Sequence, residues 1–348
     1  MAIARLVTHS GTFHADDVCA YAILADLYPE AKLERTRDPA RIEHDPEGSV
    51  VFDVGGVYDP AQRRFDHHQA DAPTRPDGLA YASFGLVWEH LGREWLWTHQ
   101  GLPSDLLEAV HQGMAAGMVR AVDQVDVQAV PPGVHVPSTM SGLVFAMNPQ
   151  DGWTGQDRVS EEDRTSAFLD AAGFVRGALQ REVRQQAREA VAGLVLEDAI
   201  ARSDDPRVAV LNAPVPWQRS AAMAADAQEL LVVVAPGTDP TEWCISAVPK
   251  EADGFARRRL FPKAWRGLAG QELVDAGGPA GIHFCHKDGY FAATRDKGAA
   301  LAFARNTITA WDKEDKRNRL VVRAQEIVGA GAGGAPSRHA TAMQAESR

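Results

Sequence analysis

The stretch that most restricts how this chain can fold is residues 49–69, Ser-Val-Val-Phe-Asp-Val-Gly-Gly-Val-Tyr-Asp-Pro-Ala-Gln-Arg-Arg-Phe-Asp-His-His-Gln. It opens with a six-residue apolar run of the kind that forms a fully buried strand, with Asp53 near its end. Gly55 and Gly56 let the backbone turn sharply just after it. The chain turns again at Asp59-Pro60 and returns through Arg63, Arg64 and Phe65 to Asp66, His67 and His68. A carboxylate closing a buried strand, followed a dozen residues on by an Asp-His-His triplet, concentrates metal-ligand groups in one place. Mixed oxygen and imidazole donors suit a hard or borderline divalent ion such as Mn²⁺, Mg²⁺ or Zn²⁺. Alone, the triplet reads as well as the polar end of a hairpin.

The N-terminal segment tips that balance. Residues 3–8 read as a buried strand that runs into His9-Ser-Gly-Thr-Phe-His14-Ala-Asp16-Asp17. Val18, Ala20, Ile23, Leu24 and Leu27 then recur at helical spacing. A strand–loop–helix order places this loop at the carboxyl end of a strand, where open α/β sheets bind ligands. Asp16 and Asp17 fall in the first helical turn and suit its dipole; that explains Asp17 but not two histidines and an aspartate within eight residues.

Further along, residues 33–37 are a candidate strand and 38–48 a polar loop. Residues 70–78 form a Pro/Asp loop, and 81–91 and 105–122 read as helices. This alternation argues for a mostly parallel sheet. The second helix runs into Asp123 and Asp126, three apart on one face. Carboxylates at a helix C-terminus are unfavourable unless a cation lies nearby. Residues 127–157 look like a long connection. Residues 160–196 form a long helix with a capping-box start at Ser160 and an apolar stripe from Phe168 to Leu194.

At 348 residues the chain is too long for one ordinary core, which implies two domains. The second is β-rich, with strands expected at 208–211, 229–234, 241–248 and 281–293, then a helix over 296–328 and a Gly/Ala/Ser-rich disordered tail at 329–348. Its one basic segment, residues 255–267, interleaves Arg257, Arg258, Arg259, Lys263 and Arg266 with Phe261 and Trp265. Such a segment either tracks a phosphate backbone and stacks bases or is a solvated face over two core aromatics. A net charge of −11 excludes indiscriminate duplex binding through counterion release. Three scattered cysteines fit neither a disulfide framework nor a Cys-x-x-Cys metal site. With no secretory signal pattern and no apolar run long enough for a membrane span, a reducing cytoplasm is the expected setting.

Together His9, His14, Asp16, Asp53, Asp66, His67, His68 and Asp123 make a candidate cluster. Two divalent ions ~3.5–4 Å apart would neutralise it and clamp the entering and leaving oxygens of an in-line displacement. Neither a Gly-rich phosphate loop ending in Lys-Ser/Thr nor a Gly-x-Ser-x-Gly elbow is present.

The ordered series His9 to Asp16, Asp53, Asp66-His67-His68 and Asp123 resembles the DHH phosphoesterase superfamily. More narrowly, Thr-His-Ser-Gly-Thr-Phe-His-Ala-Asp and Phe-Asp-Val-Gly-Gly-Val-Tyr-Asp-Pro…Phe-Asp-His-His-Gln resemble the melanocyte-proliferating-gene exonuclease family, whose bacterial members are often labelled metal-dependent protein hydrolases. Phe145-Ala-Met-Asn-Pro149, Ala264-Trp-Arg-Gly-Leu268 and His286-Lys-Asp-Gly-Tyr-Phe…Thr-Arg-Asp-Lys-Gly-Ala look like later motifs of that family. The resemblance implies an α/β fold with a mostly parallel DHH-type catalytic domain (1–158), a long connecting helix (159–200) and a smaller α+β substrate-binding domain (201–328). It implies Mn²⁺ or Mg²⁺, two ions. His9, His14 and Asp53 would hold one, and Asp16, Asp53, His67 and Asp123 the other. Asp53 bridges, and Asp126 is an alternative to Asp123. His68 would contact the scissile phosphate or assist the leaving group. Arg257, Arg258, Arg259, Trp265, Arg266, His286 and Arg295 would meet substrate.

The implied activity is a 3′-5′ exonuclease on single-stranded RNA or a short oligonucleotide. There is no membrane partner, and a homodimer remains open. The alternatives are a small-nucleotide or pyrophosphate phosphoesterase, or a non-catalytic nucleic-acid-binding module with a structural metal. The chain departs from the pattern in two places: His14 stands where many DHH enzymes have Asp, and Phe291-Ala-Ala-Thr294 replaces a Gly-Gly-His/Asn segment.

Overall fold

The computed structural model describes residues 3–44, 48–150, 158–252 and 254–331, and the chain divides into two compact units, Met1–Val191 and Ala192–Arg348. In the first, β1 (Arg5–Thr8) leads into α1 (Ala15–Leu27), β2 (Lys32–Arg35), the short α2 (Pro39–Glu43) and β3 (Ser49–Phe52). Two short strands follow, β4 (Tyr58–Asp59) and β5 (Arg64–Phe65). The sheet order is β2-β1-β3-β5-β4, parallel throughout except for the β4–β5 edge pair. Alternation sorts its side chains: Leu6, Val50, Phe52 and Phe65 face the main core, whereas Val7 and Val51 face a small second one. That second core is covered by Ile42 of α2. The segment 38–48 is thus not all loop. Asp38 caps the Pro39 start by accepting from Ala40 N at 3.0 Å, and α2 exists to seat one apolar side chain.

Helix α1 is buried on nearly every face, between the sheet and the helices that follow. These are α3 (Ser83–Thr98), α4 (Ser104–Met114) and α5 (Arg120–Asp126), the last two joined by a π-helical turn at Ala115–Val119. The extra residue of such a turn shifts the helical register and sets where Asp123 and Asp126 point. The expected long connection contains α6 (Met140–Ala146), capped by Thr139, whose Oγ1 accepts from Gly142 N; residues 151–157 lie outside those described.

The long helix predicted from the apolar stripe is α7 (Glu161–Ala201), with Ser160 Oγ accepting from Asp163 N at 3.0 Å. Phe168 to Ala190 pack in the first unit's core, and Leu196 and Ala199 pack in the second's.

In the second unit, β6 (Val208–Val210), α8 (Gln218–Met223), β7 (Val232–Pro236), β8 (Trp243–Ala247), α9 (Gly270–Asp275), β9 (Phe284–Cys285), β10 (Phe291–Thr294) and α10 (Lys297–Gly331) make an α+β arrangement. Its sheet runs β6-β7-β8-β10-β9, parallel only between β6 and β7. Val232 and Val234 face Phe303 of α10, while Val233 and Ala235 face Leu196 and Ala199 of α7. The strand expected over 281–293 is a hairpin, broken by a turn in which Gly289 takes a φ of 70°. Gly329 to Gly331 continue α10, and the rest of the expected tail lies outside the described residues. No described helix is long and apolar enough to cross a membrane.

Candidate metal centre

Because β1, β2, β3 and β5 run parallel, the loops after them leave the same edge of the sheet. His9 follows β1, Arg37 lies just past β2, Asp53 follows β3, and Asp66, His67 and His68 follow β5. Asp16 comes from the start of α1 and Asp126 from the end of α5. All of them line one cavity of about 1030 Å³.

Asp53 is the hub. It takes a left-handed φ of 55°, and Gly55 and Gly56 follow at 99° and 68°. An aspartate tolerates this better than most residues, and the turn drives its carboxylate into the cluster. Asp53 Oδ2 lies 3.2 Å from His9 Nε2, and Oδ1 lies 3.1 Å from His67 Nε2. The Ser83 hydroxyl, 3.2 Å from Oδ1, adds a donor. Burial alone would raise this carboxyl, but the hydrogen bonds and charges of His67 and His9 hold it far below the usual range.

Asp16 has the opposite surroundings. It is fully buried, and neither of its carboxylate oxygens has a hydrogen-bond partner. His67 Nε2 stands 3.8 Å away. Burial, then repulsion from Asp53, Asp126 and Asp17, pushes its pKa well above the usual value. A buried carboxylate with no donor, facing other carboxylates, is costly unless a cation joins it. The donor set therefore fits a divalent metal.

The ligand-grade atoms fall into overlapping groups. His9, Asp17 and Asp53 lie together, as do His14, Asp16 and Asp126, and Asp53 with Asp66, His67 and His68. His67 Nε2 ties the second group to Asp53, lying 3.3 Å from Asp126 Oδ2. His14 groups with Asp16 and Asp126, and its ring centroid lies 6.0 Å from that of His9. Asp17 has two tasks: Oδ1 caps α1 by accepting from His14 N at 2.9 Å, and Oδ2 lies 3.2 Å from His9 Nε2. Burial opposes a charge on His9, but hydrogen bonds and attraction from Asp17 and Asp53 win and push its pKa up to about 10.

Asp66 is buried, and its carboxylate is already occupied. Oδ1 accepts from His67 N at 2.7 Å, His68 N at 3.3 Å and His68 Nδ1 at 2.7 Å, while Oδ2 accepts from Gly56 N. It organises the triplet's backbone and fixes His68, which lines the cavity, through Nδ1. The Asp66 contact raises the His68 pKa.

Asp123 is not at the cavity. It is fully buried, 2.6 Å from Arg75 Nη2, and accepts from Gly85 N at 3.1 Å. Of the two carboxylates on this helix end, Asp126 is the one that reaches the cluster. The correction follows from position: three residues set the two side chains about 60° apart around the helix and about 4.5 Å apart along it, and Asp126, at the helix end, is the one that lines the cavity.

Several contributors carry weaker sequence signals. Arg37 Nε donates to Ser10 O at 3.1 Å, and Nη2 lies 3.2 Å from His9 Nδ1. Its place just past a strand parallel to β1 was the available clue. Asn148 grips the His9–His14 loop through Phe13, accepting from its N–H at 3.0 Å and donating to its carbonyl at 2.9 Å. Arg35 donates to Gly11 O at 2.7 Å, and Glu161 accepts from Gly11 N at 3.0 Å.

In the second unit the proposed substrate residues separate. Trp265 is only 5% exposed, packs against Phe303 and donates its indole N–H to Ala276 O, so its ring belongs to the core and offers no stacking face. The Arg258 guanidinium collects the carbonyls of Ala221, Ala227, Gln228 and Leu230. Arg259 is held by Glu314 and Asp315 and lies over Trp311. Arg266 donates through Nε to Phe261 O, at 2.8 Å. Arg257 lies over Tyr290, which also meets His286. Arg295, after β10, is exposed.

The first unit defines a class of protein, a mostly parallel α/β fold that gathers this ordered Asp/His series into a candidate divalent-metal centre at one sheet edge. Within that class the chain belongs to the MYG1 exonuclease family, whose model, described as an uncharacterised protein family (UPF0160), matches residues 5–308. It is 30% identical to human MYG1 exonuclease over 337 residues, covering 88% of this chain and 86% of that protein. It is 28% identical to a MYG1 protein of Chlamydia trachomatis over 326 residues, covering 92% and 100%. Solved structures give a distant likeness. The pGpG-specific phosphodiesterase PggH of Vibrio cholerae has a TM-score of 0.28 at 13% identity, over 93% of this chain and 99% of that one. RecJ of Thermus thermophilus in complex with Mg²⁺ has a TM-score of 0.27 at 16% identity, over 89% and 50%.

Proposed function

We propose that this chain is a two-metal phosphodiesterase that removes nucleotides from the 3′ end of short single-stranded RNA, with Mn²⁺ or Mg²⁺ as its ions, in a reducing cytoplasm. The observation that carries the reading is the pair of donor groups joined through Asp53 and His67 around the orphaned Asp16 carboxylate. Asp16, Asp53, His67 and Asp126 would hold one ion, with His14 beside them. His9, Asp53 and Asp17 would hold the other. When bound, such ions supply charge neutralisation at the scissile phosphate and a nucleophile at neutral pH.

The remaining roles belong to the protein. Nε2 of His9 faces Asp17 and Asp53 and is the atom that would meet an ion on giving up its proton, while Nδ1 lies 3.1 Å from Ser10 O. Asp66 holds His68 by Nδ1 and favours its cationic form, which would leave the Nε2–H to donate to a phosphate oxygen or to the departing oxygen. Arg37 is available to the phosphate on the other side of His9. In the second unit Arg257, Arg266, His286 and Arg295 remain the candidates for binding the rest of the strand.

One observation favours the smaller-substrate reading. Among the described residues, Arg37 is the one Lys or Arg lining the cavity, enough for one phosphate beyond the reacting one. Metal-dependent turnover of end-labelled RNA strands, compared with dinucleotides, pyrophosphate and nucleoside monophosphates, separates the readings. Stepwise shortening from the 3′ end supports the exonuclease. Activity on pyrophosphate or monoesters alone overturns it.

A further inference from the structure

Besides carboxylates and imidazoles, the cavity is lined by the apolar side chains of Val122, Val125, Val136, Pro137 and Phe145. Phe145, on α6, leaves 52% of its surface exposed although it lines the cavity. The backbone beneath it is fixed at both ends. Gly142 packs so closely on the preceding turn that a Cβ there would sit 2.3 Å from the Val136 carbonyl oxygen. Three residues beyond, Asn148 is locked to both backbone groups of Phe13. The Phe145 ring is parallel to the His14 imidazole, with an interplanar angle of 4° and centroids 6.4 Å apart. His14 lies beside Asp16 and Asp126, so this aromatic face borders the place where phosphate would react.

An exposed aromatic ring on a rigid backbone can stack a flat π-system with little loss of conformational entropy. The flat group attached to a phosphodiester of nucleic acid is its base. We propose that Phe145 is the platform on which the base next to the scissile phosphate stacks, so that the site selects nucleoside phosphates over phosphoesters of non-aromatic alcohols. This rests on the phosphodiesterase reading above and adds the group that the substrate must carry. Every base has a π-face, so the platform is tolerant of sequence.

The test is equilibrium binding of adenosine 5′-monophosphate and of ribose 5-phosphate to the full-length, metal-loaded protein, followed by calorimetry at one salt concentration. The two ligands differ only in the base. Wild type should bind the nucleotide about tenfold more tightly, as stacking of one base on one aromatic ring supplies. Phe145→Ala should lose that tenfold preference while its affinity for ribose 5-phosphate stays the same, and Phe145→Trp should keep it. Phe145→Leu, which retains apolar bulk without a π-face, should behave like Phe145→Ala and serves if the alanine variant does not fold. Equal weakening of both ligands, or no change in either, overturns the proposal. Binding is read apart from turnover. A protein that shows the base preference yet cleaves no phosphodiester therefore refutes the reaction and not the platform.

Discussion

Replacing Asp16 by asparagine should make the metal-free protein more stable and the metal-exposed protein less so. The substitution keeps the shape and removes the charge of a fully buried carboxylate that has no hydrogen-bond partner and faces Asp53, Asp126 and Asp17. Relieving one such uncompensated buried group is worth ~1–3 kcal/mol. In a unit of this size each kcal/mol moves Tm by roughly 2–4 °C, so metal-free Asp16→Asn should melt several degrees above wild type.

The pH dependence has a definite sign. A carboxyl with a raised folded pKa contributes stability below its unfolded pKa and loses it as pH rises through the folded value. The advantage of Asp16→Asn over wild type should therefore be absent in acid and grow as pH rises from about 4. Saturating Mn²⁺ reverses the order. At a hundredfold excess over Kd, binding stabilises wild type by ~2.7 kcal/mol, roughly 5–10 °C, whereas the variant, short of one ligand, should gain little. Scanning calorimetry with and without Mn²⁺ at several pH values gives all of these quantities. A metal-free variant less stable than wild type, or one with an undiminished Mn²⁺ shift, would refute the reasoning.

Asp123→Asn and Asp126→Asn should differ in kind. The first leaves Arg75 uncompensated beside a buried site and should cost ~3–5 kcal/mol of stability with metal stoichiometry intact, while the second should lose metal with little change in metal-free Tm; plasma emission analysis and denaturant melts give both values. His67→Ala should weaken metal binding, whereas His68→Ala should keep the metal and lower kcat ~10²–10⁴-fold, and equal metal loss in both would mean the pair is misassigned. Charge removal at Arg257 and Arg266 should weaken binding of long single strands, less so at high salt, and leave dinucleotide cleavage unchanged; Arg258→Ala should instead lower Tm by stripping a donor from buried carbonyls, which a melt in parallel reports.

Much of the first unit was legible because parallel strands carry their chemistry at their ends. A buried apolar run followed at once by Asp53 marks both the strand and its exit, and the parallel pairing of the two-residue β5 with β3 brings Asp66-His67-His68 to the same edge. What sequence could not resolve was direction. Asp123 and Asp126 are equivalent on a regular helix, and the register is set by a π-helical turn whose residues, Ala115 to Val119, show no distinctive pattern. Asp17 looked like a cap and is one, but a carboxylate has a second oxygen, and only the fold places His9 beside it. In residues 255–267 the bland reading of the aromatics was the sound one for Trp265, because a basic stripe and a strand of core-facing aromatics have the same spelling. Arg258 serves carbonyls from another part of the chain, and no local pattern announces that. The helices α2 and α6, of five and seven residues, are too short for their periodicity to stand out in sequence.

The dispersal of the donors over separate loops bears on how the protein acquires its ions in a cell. During synthesis His9 is made first and Asp126 more than a hundred residues later, an interval of roughly 6–25 s at translation rates of ~5–20 residues per second. For all that time the emerging chain offers only scattered imidazoles and carboxylates, with no arrangement to favour one ion over another. Left to raw affinity, such groups would prefer copper or zinc to manganese or magnesium. Loading must therefore wait until the sheet has closed and α5 has docked, when the number and spacing of oxygen donors can discriminate. On the proposed reading, the identity of the metal would be decided by the folded cage and by what the compartment supplies at that moment.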